Sequence, residues 1–279
     1  MATLYLNEDL HPDAFAVGAR LPVWGADARH AAQVARVRTG ERIGVGDGRG
    51  RIGWGPVVHV AQQEVAIEVA ELAVDPARRP RLILVQALAK GDRDELAVQA
   101  ATELGVDEIV PWQAARSISR WEGPKAAKAV ERWRSVVREA SKQAIRATVP
   151  EVRALATTRS LAERLRGSGG DDADAGPVAL VLEPGAQESL AGLLVPTGSI
   201  RRSGSNGSVD DPPGGLVGRM GAAESVLLVV GPEGGIAPEE LRELELAGAR
   251  LVRLGPEVLR TSTAGPAAIA ALSALLGRW

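Results

Sequence analysis

The chain has 279 residues, with 33 Lys and Arg against 35 Asp and Glu, and it contains no cysteine. At roughly 100–200 residues per domain, this length is sufficient for two domains that each bury a core. The lack of cysteine excludes disulfides, zinc ribbons, iron–sulfur clusters and a cysteine nucleophile, and with only three histidines we expect no metal centre. The net charge of −2 gives no global sign of nucleic-acid binding, although such a sum can conceal a local asymmetry.

The sequence shows no targeting or membrane segment. Residues 1–20 lack the basic stretch and apolar core of a signal peptide. The longest apolar runs, such as Val226–Val230, have the length of a strand and not of a membrane span. We therefore expect a cytoplasmic protein without a membrane partner.

Residues 1–75 have the pattern of a small all-β domain. Short apolar runs alternate with turn residues, and Asp47-Gly48 between two such runs indicates a hairpin. The predicted strands are Arg42–Val45, Arg51–Trp54, Val57–Val60 and Val65–Val69. One helix is expected near Ala26–Arg38. This spacing favours a barrel or sandwich, and the proline-rich, charged stretch Asp75–Pro80 divides the chain into domains 1–75 and 76–279.

From Arg81 onward, strands alternate with helices. The predicted strands are Leu82–Leu88, Val106–Trp112, Val178–Leu182, Val226–Val230 and Arg250–Leu254. Four helices are predicted. The first begins at a capping box, Asp92–Glu95, and ends at Gly105; the others span Ala126–Ala147, Pro238–Gly248 and Thr263–Leu276. This alternation predicts an α/β domain with a mainly parallel sheet.

Two segments interrupt that alternation. Gly167–Gly176 is rich in Gly and Asp and is predicted to be a flexible acidic loop. Pro196–Glu224 is rich in Gly, Ser, Pro and Asp, so it has too little apolar surface to offset the entropy of ordering. We expect a disordered insertion at about residues 196–224.

Two glycine-containing turns follow predicted strands and are the segments of the chain most suited to form a ligand-binding or catalytic site. Gly231-Pro232-Glu233-Gly234-Gly235 follows the strand Val226–Val230 and lacks the Gly-Lys-Ser/Thr of a P-loop. Leu254–Ala264 reads LGPEVLRTSTA and opens the last helix. Each segment alone is also explained as a plain capped connection. Because both follow strands of one parallel sheet, we expect them to converge on a single site.

These two motifs resemble those of the RsmE family of ribosomal RNA uridine-N3 methyltransferases, which belong to the SPOUT superfamily. Further resemblance lies in His30–Arg38, in Gly46–Arg51, in Gln86–Arg93, in Ala101–Val106 and in Trp133, Gln143, Arg146 and Val149-Pro150-Glu151. It covers nearly all of the chain outside the two acidic segments. The resemblance implies an N-terminal PUA-like β-barrel that helps bind RNA, a C-terminal trefoil-knotted α/β domain that binds S-adenosyl-L-methionine, and a homodimer.

The resemblance also assigns site residues. The implied cofactor-binding residues are Leu182, Glu183, Val230, Gly231, Glu233, Gly234, Gly235, Leu254, Gly255, Val258, Leu259, Arg260, Thr261 and Ser262. Within the last motif the sequence departs from the common family form at two positions, since Glu257 replaces an arginine and Ser262 replaces a glutamate. No role of that glutamate can be transferred to this chain. In the long helix, Lys142 replaces the glutamate that commonly precedes the glutamine at Gln143.

Methylation of uridine N3 requires loss of the N3 proton. A cation near the developing uracil oxyanion would favour the deprotonated form, and Arg260 is the candidate. Glu233 is the nearest motif carboxylate and a candidate base, although it could instead brace its own loop. Without cysteine, the covalent adduct of pyrimidine C5 methylation is excluded.

Basic residues are concentrated between Arg116 and Arg146, where nine stand against three acids. Such a face would bind RNA phosphates, although a charge run is often only a solvated helix face. The candidate RNA-binding residues are His30, Arg36, Arg93, Arg116, Arg120, Arg138, Lys142 and Arg146.

The resemblance therefore implies a methyltransferase that acts on 16S ribosomal RNA or the small ribosomal subunit. Two alternatives remain open: a knotted methyltransferase with another acceptor, such as transfer RNA or a ribose 2′-hydroxyl, and a non-catalytic RNA-binding assembly factor.

Overall fold

The computed structural model describes residues 3–167, 176–194 and 216–279, which divide into two units. The first unit comprises Met1–Ala77 with Ser135–Pro150, and the second comprises Arg78–Arg134 with Glu151–Trp279. The chain therefore passes from one unit to the other three times, after Ala77, Arg134 and Pro150, whereas the predicted division is a single cut at Asp75.

The first unit is built on a six-stranded sheet. Its strands are β1 Leu4–Leu6, β2 Arg20–Trp24, β3 Arg42–Gly46, β4 Arg51–Val60, β5 Glu64–Glu68 and β6 Glu71–Val74. Their order is β1-β3-β4-β5-β2, with β6 paired to β4, and all pairs except β1–β3 are antiparallel. Alternate apolar residues of these strands, including Val23, Val45 and Ile67, form the buried core of this unit.

The hairpin predicted at Asp47-Gly48 is confirmed between β3 and β4. The Asp47 carboxylate accepts hydrogen bonds from the amides of Arg49 and Arg51 at 2.7 and 3.0 Å, and Gly48 has a φ of +68°. A local carboxylate therefore closes the turn on its own backbone.

The helix predicted over Ala26–Arg38 is shorter than expected. Helix α1 spans Gly25–Arg29 and continues as a wider π-helical turn over His30–Val34. The chain then leaves the helix because Arg36 adopts a left-handed conformation, with a φ of +53°.

The second unit contains a six-stranded parallel sheet, as the alternating pattern predicts. Its strands are β7 Arg81–Ala87, β8 Glu108–Trp112, β9 Glu151–Val152, β10 Val178–Leu182, β11 Ser225–Val230 and β12 Arg250–Val252. Their order is β12-β10-β11-β7-β8-β9. The carboxyl ends of all six strands consequently lie at one edge.

The described helices that follow Arg78 are α2 Arg93–Glu103, α3 Pro124–Gln143, α4 Thr158–Gly167, α5 Leu190–Leu194, α6 Leu216–Ala222, α7 Pro238–Leu246 and α8 Thr261–Leu275. Helix α3 begins in the second unit and ends in the first. Ile83 and Val85 of β7 pack with Leu161 of α4 and Leu244 of α7, whereas α2 and α8 pack on each other and on β7. Strand residues are apolar on both faces because each face is covered.

Three helix predictions need correction. The predicted capping box is not formed, because Asp92 makes no side-chain cap; the Asp94 carboxylate accepts instead from the amides of Ala89 and Glu95. Helix α3 ends at Gln143 and not at Ala147, because Ile145 turns into the left-handed region. Helix α8 begins two residues before the expected Thr263.

The two interrupting segments fall mainly on residues that the structure does not describe. These are residues 168–175 of the acidic loop and 195–215 of the insertion. The prediction of disorder is wrong for the end of the insertion, where α6 buries Leu216 and Met220. These two residues lie four apart on one face of a helix, a local pattern that the polar average composition conceals. Within the described residues, no helix is both long and apolar enough to cross a bilayer.

A buried carboxylate fixes the second half of α3 within the first unit. Asp27 is only 4% exposed and accepts hydrogen bonds from Arg138 Nη2 at 2.8 Å, Lys142 Nζ at 2.7 Å and the Leu6 amide at 3.0 Å. Burial raises the pKa of Asp27, but these donors outweigh it, so the pKa lies below its ordinary value. Asp27 therefore stabilises this unit in its ionised form.

We expect Asp27→Asn to lower the free energy of unfolding by about 3 kcal/mol, because it leaves Lys142 and Arg138 poorly neutralised. Urea unfolding at neutral pH measures this. Because the folded pKa is lowered, the contribution is full above the ordinary pKa of aspartate and is lost as the pH falls through the lowered value. The difference in free energy of unfolding between the wild type and Asp27→Asn should therefore decrease at acidic pH. Glu139→Gln, at the exposed end of the same cluster, is the control and should cost less than about 1 kcal/mol. Equal losses in the two variants would contradict this account.

Candidate functional site

The carboxyl edge of the parallel sheet carries a cavity of about 430 Å³. Three connections enclose it: the residues after β10, the glycine turn after β11, and the segment between β12 and α8. Because β10 lies between β11 and β12 in the sheet, all three connections emerge side by side. The predicted convergence of the two glycine-containing motifs on one site is thus observed.

Most of the predicted cofactor residues line this cavity. They are Leu182, Glu183, Val230, Gly231, Glu233, Gly235, Leu254, Gly255, Val258, Leu259, Arg260 and Thr261. Gly234 and Ser262 are not among the lining residues. Gly234 instead lies against Arg116, where a β-carbon would meet Arg116 Cβ at 3.4 Å.

The turn after β11 needs glycine at two positions. A β-carbon on Gly231 would lie 2.6 Å from Cγ1 of Ile236, so the turn closes tightly only without a side chain. Gly235 has a φ of +70°, and its amide donates to the Pro232 carbonyl at 2.9 Å. The turn therefore presents backbone, not side chains, to the cavity along much of its length.

A buried hydroxyl group joins the connections below the cavity. Thr261, the first residue of α8, donates from Oγ1 to the Gly231 carbonyl at 2.8 Å and accepts from Gln86 Nε2 at 2.9 Å. Gln86 lies on β7 and is fully buried. Two hydrogen bonds thus tie the central strand, the glycine turn and the start of α8 to one another.

Glu233 is held by the segment before α2. Its Oε1 accepts from Arg93 Nη1 at 2.8 Å and from the Lys90 amide at 3.1 Å. Burial raises the pKa of Glu233, but hydrogen bonds from its own backbone amide, from Arg93 and from Lys90 outweigh this, so the pKa lies below its ordinary value. A carboxylate stabilised in this way is a weaker base, and the geometry favours the bracing interpretation over the proton-acceptor one. Arg93, expected to bind RNA, is here part of the cavity wall.

The two arginines of the β12–α8 segment differ in their surroundings. Arg253 Nη1 donates to the carbonyls of Ala186 and Gln187, so it fixes the connection after β10. Arg260 is exposed, lines the cavity and has no carboxylate partner among the described residues. Arg260 is therefore available to an anionic or electron-rich ligand.

Two more predicted RNA-binding residues adjoin the glycine turn. Arg116 Nη1 donates to the Gly234 carbonyl at 3.2 Å, and Arg120 Nη2 donates to the Ala115 carbonyl at 2.9 Å. Both side chains are exposed.

The remaining predicted RNA-binding residues lie in the first unit. Arg138 and Lys142 contact Asp27, so their charge is largely used inside the unit and the idea of an open basic helix face does not hold for them. Arg146 is partly buried and lies 3.5 Å from the Thr148 hydroxyl. His30 and Arg36 are exposed, and the His30 ring lies 6.1 Å from that of Tyr5. An RNA-binding role for these residues stays a prediction.

Sequence reasoning missed several residues of the site. Gln86 has no motif signal beyond its place in an apolar strand, where a polar residue requires a buried partner. Arg253 follows β12 directly, but its carbonyl partners are far away in the sequence. No group of three or more His, Asp or Glu suited to a metal ion occurs in the described ranges.

Comparison with protein families and known proteins places this geometry among RNA methyltransferases. A family model described as an RNA methyltransferase domain matches residues 77–273, and an RNA methyltransferase PUA domain matches residues 25–55. A ribosomal RNA small subunit methyltransferase E of Mycobacterium bovis is 38% identical over the whole chain and 94% of its own length. The protein of that name from Bacillus subtilis is 29% identical over 90% of this chain and 88% of its own.

A solved structure agrees with these matches. The crystal structure of a ribosomal RNA small subunit methyltransferase E from Neisseria gonorrhoeae, bound to S-adenosyl methionine, superposes with a TM-score of 0.75 at 25% identity. The match covers 99% of this chain and 98% of that one.

We expect Thr261→Val to lower the free energy of unfolding by about 1–3 kcal/mol, because Gln86 Nε2 and the Gly231 carbonyl both lose a buried partner. Thr261→Ser keeps the hydroxyl and should cost less than half as much. Urea unfolding of the two variants measures the difference. Ser262→Ala is the matched control, since the described residues show no hydrogen bond to the Ser262 hydroxyl. Equal stability of the Val and Ser variants would show that the hydroxyl does not tie the connections together.

Proposed function

The chain belongs to the ribosomal RNA small subunit methyltransferase E (RsmE) family, and on that premise we propose that it transfers a methyl group from S-adenosyl-L-methionine to N3 of a uridine in 16S ribosomal RNA. The observation that carries the proposal is the 430 Å³ cavity where three connections meet around Arg260. The predicted fold class, a SPOUT-type α/β domain with an N-terminal PUA-like β-barrel, is confirmed by the family matches and the fold neighbours.

The cavity suits a ligand of this size and chemistry. Its volume is within the range of small-molecule sites, about 300–1,000 Å³. Apolar side chains such as Leu182, Val230 and Leu254 line it beside the exposed backbone of the glycine turn, a combination that fits an adenine ring and its polar edge. Glu183 lies on the same wall and could accept from a ribose hydroxyl. When bound, S-adenosylmethionine supplies an electrophilic methyl group on sulfur.

Arg260 has the position and the charge for the acceptor step. Loss of the N3 proton places negative charge on the uracil oxygens, and an arginine without a carboxylate partner stabilises such charge. Its backbone is fixed because Arg260 is the N-cap of α8, directly before the bonded Thr261. We therefore assign Arg260 to stabilisation of the uracil oxyanion.

Glu233 has a different role in this proposal. Its carboxylate is occupied by Arg93 and Lys90 and has a lowered pKa, so we assign it to bracing the glycine turn and not to removal of the N3 proton. The bracing fixes the cavity wall before a ligand arrives, which limits the entropy lost on binding.

The proposal includes partners beyond the cofactor. The relatives are named for the ribosomal RNA of the small subunit, which supports that RNA or subunit as the substrate. We also propose a cytoplasmic homodimer, as the family resemblance implies.

Arg260→Ala should lower the rate of methylation by a factor of about 10²–10³, because the charge that forms on uracil loses its counter-charge. Incorporation of labelled methyl groups into small subunits measures the rate, and calorimetry measures S-adenosylmethionine affinity, which should change little. Arg242→Ala, an exposed arginine on α7, is the matched control and should keep the wild-type rate. A near-normal rate for Arg260→Ala would remove Arg260 from the mechanism.

Deletion of the gene should remove one N3-methyluridine from 16S ribosomal RNA, and the wild-type protein should restore it. Mass spectrometry of nucleosides from purified small subunits measures this. Loss of a ribose-methylated nucleoside would indicate the alternative acceptor. An unchanged nucleoside profile, together with no S-adenosylmethionine binding at millimolar concentration, would instead support a non-catalytic assembly factor.

A further inference from the structure

The segment after β8 presents three side chains outward at the carboxyl edge of the sheet. Arg116, Ile118 and Arg120 are exposed, and Ile118 is 65% exposed although it is apolar. The intervening Ser117 is buried, and Ser119 is partly buried. We call the three outward residues the 116–120 ridge.

The backbone beneath the ridge is fixed by side-chain hydrogen bonds. Ser119 Oγ donates to the Ala89 carbonyl at 2.6 Å, and the Ala115 amide donates to Glu240 Oε1 at 2.9 Å. Farther along, the Trp121 amide donates to Gln113 Oε1 at 2.9 Å. The ridge is therefore a preorganised feature, so its side chains bind a partner without the cost of ordering a loop.

The ridge adjoins the cavity wall. Arg116 Nη1 donates to the carbonyl of Gly234, whose two neighbours Glu233 and Gly235 both line the cavity. On its other side, Ser119 contacts Ala89, the residue before Lys90, which itself donates to Glu233. A ligand that lies on the ridge is thus next to the cavity.

The charges of the ridge are not neutralised locally. Within the described residues, neither Arg116 nor Arg120 has a carboxylate partner, and each guanidinium makes a single hydrogen bond to a backbone carbonyl. By contrast, nearby Arg93 and Arg132 are paired with Glu233 and Glu95. A guanidinium has five N–H donors, so most donors of Arg116 and Arg120 remain available for phosphate oxygens.

Uridine chemistry places a condition on the substrate. N3 lies on the edge that pairs with adenine, so an acceptor uridine must be unpaired and drawn out of the stack. The nucleotides on either side must then be held by the protein. On such a strand, two guanidinium groups can bind the phosphates, and an apolar side chain between them can pack on a base or ribose face. The ridge has this arrangement.

We propose that the 116–120 ridge binds the single-stranded RNA that flanks the acceptor uridine. Arg116 and Arg120 bind backbone phosphates, and Ile118 packs on a neighbouring base or ribose. This inference rests on the proposed function for the identity of the acceptor, but binding of RNA by the ridge is measurable without methylation.

The test uses the full chain with Arg120→Ala, Ile118→Ser and the double variant Arg116→Ala/Arg120→Ala. We expect the double variant to raise the KM for small subunits on the order of tenfold and to leave the Kd for S-adenosylmethionine nearly unchanged. Fluorescence anisotropy with a labelled oligouridylate of about ten nucleotides measures RNA binding directly. The slope of log Kd against log salt should fall by about 1.4, which corresponds to two phosphate contacts.

The matched control is Arg159→Ala/Arg166→Ala, which removes two exposed arginines from α4 in the same unit. It should change KM less than twofold. Within the described residues, neither Arg120 nor Ile118 has a hydrogen bond to the glycine turn. The effects of Arg120→Ala and Ile118→Ser therefore report on RNA binding even if Arg116→Ala disturbs Gly234.

Two outcomes would contradict the proposal that the ridge binds RNA. One is an unchanged KM and salt slope in all three variants. The other is a dimer that dissociates in light scattering when the ridge is altered, since that would make the ridge a contact between copies of the chain. If the wild type binds oligouridylate through the ridge but forms no N3-methyluridine, the ridge stands and the proposed function fails.

Discussion

The geometry of the cavity depends on one buried hydroxyl group. Thr261 Oγ1 accepts from Gln86 and donates to the Gly231 carbonyl, so one atom satisfies polar groups from a strand and a turn that are remote in sequence. The cost of leaving such groups unpaired in a buried place makes this arrangement specific. Arg260 precedes this hydroxyl directly, so its position at the cavity follows from the same two hydrogen bonds.

Buried carboxylates decide which of the many arginines remain available for binding. Asp27 takes up Arg138 and Lys142 in the first unit, and Glu108, fully buried in β8, is surrounded by three arginines of the second. Each such pairing removes a cation from the surface charge, because an ion pair with a buried partner is fixed inside the fold. What marks a candidate binding residue is therefore the lack of an acidic partner among the described residues, as for Arg116 and Arg260, and not membership of a basic run.

The sequence predicts the parallel sheet, the two motifs and most of the cavity wall, because these depend on local patterns: apolar strand runs and glycine turns. Prediction from the sequence fails where contacts between residues distant in the sequence determine the structure. Lys142 continues the helical spacing of the basic residues, yet its ammonium group pairs with Asp27, which lies 115 residues away in the sequence. Likewise α6 lies in a polar stretch, because two apolar residues four apart, Leu216 and Met220, are enough to give a short helix a buried face. The role of Gln86 has no local signal in the sequence, because it depends on a hydrogen bond to Thr261, 175 residues away.

The charges that line the cavity balance one another, which bears on how RNA is attracted. Three guanidiniums face three carboxylates, namely those of Arg93, Arg253, Arg260, Glu183, Glu233 and Glu257. Glu257 completes this balance at a position where the common family form has arginine, so the cavity mouth of this chain has less positive charge than that form would give. A formally neutral cavity does not attract a polyanion. If the chain acts on RNA as proposed, the attraction for RNA comes from cations outside the cavity. Arg116 and Arg120, beside the glycine turn and without acidic partners among the described residues, are placed to supply it.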